Sequence, residues 1–76
     1  MASSGIWELL HAGDWACANG DEESLARVAR SLAHRVDGNL RLSAFTVAAV
    51  AVFDMDEATL RWGELTDVLR AQASPA

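Results

Sequence analysis

Seventy-six residues suit a single domain that buries only about 60 % of the surface its unfolded chain exposes, so stability needs tight packing or a partner. Half of the residues are apolar, many of them alanine, and the large core formers are nine Leu, six Val, one Ile, two Phe and three Trp. A net charge of −5 argues against a dedicated nucleic-acid binder, which needs cations to displace counterions from phosphates.

In chain order, a first helix is predicted over Gly5 to Ala18, with Ser3 or Ser4 offering an N-cap oxygen. Asn19-Gly20 ends it, because glycine takes the left-handed conformation after a helix without a Cβ penalty. Asp21 is suited to cap a second helix, and Glu22 and Glu23 set negative charge at the positive end of its dipole. That helix is expected to run to Val36, with His34 and Arg35 in its last turn and Asp37-Gly38-Asn39 as the break. Residues 40–53 read two ways. Phe45, Thr46, Val47, Val50, Val52 and Phe53 suit a buried strand, and periodicity cannot decide a segment that is apolar on every side. A third helix is preferred, because alanines are interleaved, the segment is longer than a typical strand, and no second strand candidate exists to pair with it. Asp54 opens the fourth helix, with Glu57 placed to complete a capping box, and the helix is expected to reach Gln72. Residues 1–4 and 73–76 are expected to be disordered tails.

Two of these helices repeat one pattern. Leu25, Ala29, Leu32 and Val36 follow the spacing of a single helix face, and Ala58, Trp62, Leu65 and Leu69 repeat it 33 residues later. Short connections make consecutive helices antiparallel neighbours. The predicted fold is therefore all-α: one domain over 1–76, four short antiparallel helices arranged as two consecutive helical hairpins, a small bundle open to dimerisation. The hairpin period is similar to that of tetratricopeptide repeats, with Gly13, Ala58 and Trp62 near the places where that repeat sets a small, a small and an aromatic residue. Ala16 and Ala49 stand where a large aromatic is usual, and no proline closes either hairpin, so the similarity is one of packing logic and implies no membership.

The first helix supplies the candidate contact surface. Ile6, Leu9, Leu10, Gly13 and Cys17 share a stripe that should face the bundle, while Trp7, His11 and Trp15 step along a second stripe at intervals of four. A helix that is apolar or aromatic on two sides is usually sandwiched between two layers, and tryptophan is enriched at binding hot spots. Trp15, with His11 and Trp7, is thus the predicted anchor of a homodimer or partner interface. Leu60, pointing away from its own stripe beside Gly63 and Asp67, is a weaker candidate. The third helix, apolar all round, is expected to be the most buried element or a dimer seam. Arg27, Arg30 and His34 lie opposite Leu25 and Leu32, where they could clamp a carboxylate or phosphate or face water. Charge is banded: residues 1–26 hold five acids and no base, residues 27–53 four arginines against Asp37 alone, and residues 54–76 a net −3.

No motif points to chemistry. His11 and His34 share no metal-ligand spacing with each other or with Cys17, and no glycine-rich loop precedes a helix as phosphate binding requires. Cys17 sits about 120° around the helix from His11, beyond hydrogen-bond reach, and a lone cysteine forms no intrachain disulfide. The longest apolar run, Ala44 to Phe53, is about half a membrane span, and no basic-then-apolar leader opens the sequence. Arginine without lysine, with abundant alanine, suits a GC-rich bacterial genome. The expectation is a small acidic bacterial protein, cytoplasmic, without catalytic activity, metal or cofactor, that works by protein–protein contact as a homodimer, adaptor or accessory subunit. The alternative is an acidic inhibitor or antitoxin-like protein whose carboxylates occupy a basic site on an enzyme or nucleic-acid-binding protein.

Overall fold

Each break between helices is built by a few side chains and backbone groups close at hand. The computed structural model describes residues 5–73, which form α1 (Gly5–Asn19), α2 (Glu22–Ala33), α3 (Gly38–Ala51) and α4 (Met55–Ala73). No strand occurs among the described residues, and the ambiguous segment is helical as far as Ala51, with Val52 and Phe53 in the turn that follows. The expected cap at Ser3 or Ser4 and the expected tails lie outside them, except Ala73, which ends α4.

α1 closes in a Schellman motif. Gly20 sits at φ 64°, Asp21 N donates to Ala16 O at 2.9 Å and Gly20 N to Cys17 O at 3.3 Å, satisfying carbonyls that the helix leaves free. Asp21 then caps α2, its Oδ1 accepting from Ser24 N at 3.1 Å and its Oδ2 from the Ser24 hydroxyl at 2.7 Å. Those two bonds, the hydroxyl foremost, hold the Asp21 carboxyl below the ordinary carboxylate range.

α2 stops at Ala33, earlier than expected, and His34 and Arg35 belong to the turn. Their amides tighten onto Ser31 O and Leu32 O, and Gly38 turns the chain at φ 59°. Arg41 then reaches back from α3, its Nε donating to Ala33 O at 3.2 Å and to Val36 O at 3.0 Å. At α4, Asp54 Oδ1 accepts from Glu57 N at 3.1 Å. The other half of the capping box does not form. Asp54 N already donates to Val50 O at 2.8 Å, and the Glu57 carboxylate pairs with Arg61 at 2.9 Å.

Consecutive helices pack on one another, α2 on α3 most extensively, and α1 meets α4 across a smaller contact. All eight residues of the two repeated stripes are buried, and half of the buried apolar set is alanine. Alanine lets helix axes approach, but each contributes little transfer free energy. Trp62 alone among the aromatic residues is inside, at 2 % exposure. Its ring lies on the α1 backbone at Gly13, where an added Cβ would collide with Cζ2 and Cε2 of the indole.

The neighbouring residue completes the join. Trp62 Nε1 donates to Asp14 Oδ1 at 2.9 Å, and Asp14 Oδ2 accepts from Arg70 Nη2 at 2.8 Å. Arg70 Nη1 also donates to the hydroxyl of buried Thr66, which itself donates to Gly63 O at 3.1 Å. Asp14 thereby ties α1 to α4. The ion pair is nearly half exposed on both sides, so it contributes at most about 1 kcal/mol. The buried indole N–H decides more, because leaving it without an acceptor costs about 1–3 kcal/mol.

Asp14→Ala is accordingly expected to lower the unfolding free energy by about 1–3 kcal/mol and Arg70→Ala by less than about 1 kcal/mol. Gly13→Ala should lose about 1–3 kcal/mol by overpacking against the indole. Urea melts followed by circular dichroism read all three. Equal losses for Asp14→Ala and Arg70→Ala would assign the join to charge instead.

Candidate interaction surfaces

Large apolar side chains outside the core collect on two faces. On α1, Trp7, His11 and Trp15 are all exposed, Trp15 at 59 %, with Glu8 and Asn19 beside them. The backbone there is satisfied locally, Asn19 Nδ2 donating to Trp15 O at 2.8 Å. The opposite side of α1 buries Leu10, Gly13 and Ala16, with Ile6, Leu9 and Cys17 half-buried against the core. Among the described residues, none encloses the indoles of Trp7 and Trp15.

The second face lies on α3, which is not the most buried element. Its core side carries small residues, Ala44, Val47, Ala48 and Ala51. Leu42, Phe45, Ala49, Val52 and Phe53 are exposed, Phe53 at 89 %. Leu42, Phe45 and Ala49 fall within an arc of about 60° on the side of α3 away from Ala44 and Ala51, and Val52 and Phe53 carry the stripe into the turn after the helix. Hydropathy could not reveal this stripe, because the segment is apolar all round. Side-chain size could have, since three of the four alanines gather on one side and both phenylalanines on the other.

Different chemistry borders the α3 stripe on its two sides. Toward α2, the His34 ring stands edge-on to Phe45, with centroids 5.9 Å and planes 89° apart. Arg27 and Arg30 are exposed on that outer face of α2 and join no ion pair among the described residues. Toward α4, a shallow groove of about 340 Å³ is lined by Leu42, Thr46, Leu65 and Val68 with Arg61 and Glu64. Leu60 and Asp67 are exposed on α4 as well. The residues singled out from sequence therefore lie on three separate faces: Trp7, His11 and Trp15 on α1, Arg27, Arg30 and His34 along α2 and its end, and Leu60 on α4.

Cys17 is half-buried on the core side of α1, whereas His11 is exposed. Burial raises the thiol pKa above its ordinary value; a hydrogen bond with Thr59 opposes the rise and the Asp14 charge adds to it. Among the described residues, no three His, Cys, Asp or Glu side chains are grouped as a metal ion would require, and no helix is long and apolar enough to cross a membrane. No known family, curated protein or solved structure matches the chain.

A thiol reagent at about pH 7.5 should modify Cys17 at least about tenfold more slowly in the folded protein than in urea, because less of the thiol is ionised and less of it is accessible. Equal rates in the two states would contradict the burial and the raised pKa.

Proposed function

We propose that the chain is a non-catalytic protein–protein interaction module, acting as a homodimer, adaptor or accessory subunit, whose contacts are made by the outward faces of α1 and α3. One observation carries this reading: two stripes of large exposed apolar groups on a chain whose buried apolar set is half alanine. Single exposed leucines are normal on any surface. Grouped apolar side chains on a small domain mark a contact site. Covering one Phe or a side chain of similar size against a partner stabilises by about 1.5–3 kcal/mol, more than an exposed ion pair supplies.

An acidic inhibitor is the competing reading, favoured by Glu22, Glu23, Asp56, Glu64 and Asp67, which are exposed and outside the ion pairs of the described residues. Ionic strength separates the two, since salt screens exposed charges and spares apolar contacts. The interaction module predicts a complex, with itself or with a protein from the source cell, that persists in about 0.5 M salt. Substituting the face in contact, Trp15→Ala for α1 or Phe53→Ala for the α3 stripe, should weaken it by about tenfold or more, with helical circular dichroism unchanged. A complex that dissolves in salt and ignores both substitutions would favour the carboxylate-driven reading.

A further inference from the structure

Resting on the interaction-module reading, we infer that a second copy of this chain covers the α3 face, in a two-fold dimer whose axis runs parallel to α3. The α1 face is left free for another protein.

Charge on the two sides of the α3 stripe selects this occupant. α2 packs along one side of α3 and α4 along the other. Arg27 and Arg30 project from the first, and Glu64 and Asp67 from the second, all exposed and outside the ion pairs of the described residues. Of the charges nearby, Glu22 and Glu23 sit in the first turn of α2, Arg41 on α3 pairs with Asp37, and Arg61 pairs with Glu57. A half-turn about an axis parallel to α3 lays stripe on stripe and sets each α2 over the partner's α4. Arginines of one copy then meet carboxylates of the other. A half-turn about an axis across α3 would set α2 on α2 and α4 on α4, and like charges brought together oppose association.

The heights along α3 agree with this arrangement. His34, one turn after Arg30, touches Phe45, and Glu64 lines the groove beside Thr46. Both charges thus flank the middle turns of α3, and rotation about a parallel axis keeps their height. Ala49 lies at the centre of the stripe, with Leu42, Phe45, Val52 and Phe53 around it. Two α3 helices can therefore approach closely at Ala49 and interlock their larger side chains on either side. α1 packs on α2 and α4, which keeps Trp7 and Trp15 outside the seam.

Sedimentation equilibrium of the whole chain from about 1 μM to about 1 mM spans the affinities expected of a small dimer. Mass is expected to rise from 8.1 kDa to twice that value. Phe53→Glu should abolish the rise without altering circular dichroism, since that side chain is almost wholly exposed. Arg30→Glu and Glu64→Arg should each weaken the dimer about tenfold, because the pair occurs twice by symmetry. Combining the two exchanges should restore the wild-type affinity, and Trp15→Ala should dimerise as the wild type does. A combined variant no tighter than either single one would overturn the inference. So would a dimer lost in Trp15→Ala and kept in Phe53→Glu, which leaves the interaction module standing with a different seam. A chain that stays at 8.1 kDa throughout removes self-association, and the module is then judged on its salt-resistant partner complex.

Discussion

The indole of Trp62 rests on bare backbone at Gly13, and which aromatic residue occupies that place decides the character of the whole surface. An interior built half of alanine draws the helices together and leaves little width between them. One tryptophan is admitted because α1 presents, at adjacent positions, a residue with no side chain and an acceptor for the indole N–H. With a Cβ at Gly13 the ring could not approach; without Asp14 its N–H would be buried unpaired. Trp7, Trp15, Phe45 and Phe53 have no such berth and stand outside.

Apolar surface and fold stability are thus two sides of one geometry. Small residues on the inner side of α3 allow it to sit close to α2 and α4, and their larger neighbours are turned outward by the same helical period. The core gains little free energy from each alanine it buries, while a partner that covers one phenylalanine gains as much as several of them. A partner bound to the folded domain would stabilise it, because any ligand of the folded state shifts the folding equilibrium toward it. Helix ends are handled locally, by Asp21, Gly20 and Asp54, and leave the faces of the rods free for packing or contact.

Much of this architecture is legible in the sequence. The two stripes from Leu25 and Ala58, the glycine after Asn19 and the aspartates before α2 and α4 each encode their element within a few residues. Features that depend on distant residues were not legible. α2 ends at Ala33 partly because Arg41 of the next helix donates to the Ala33 carbonyl and to that of Val36 in the turn, and no local pattern announces a donor eight residues on. Asp14 looks like any solvated carboxylate until Trp62 arrives from 48 residues away. The α3 face was hidden for another reason: hydropathy treats alanine and phenylalanine alike, whereas packing between close helices sorts them by volume.

Hydrogen exchange of the three indole N–H groups, followed by NMR in dilute solution, tests this division most directly. The account predicts that the Trp62 indole exchanges only when the molecule unfolds, while those of Trp7 and Trp15 exchange at nearly the rate of a free indole. Slow exchange at Trp15 in the monomer, or fast exchange at Trp62, would contradict it.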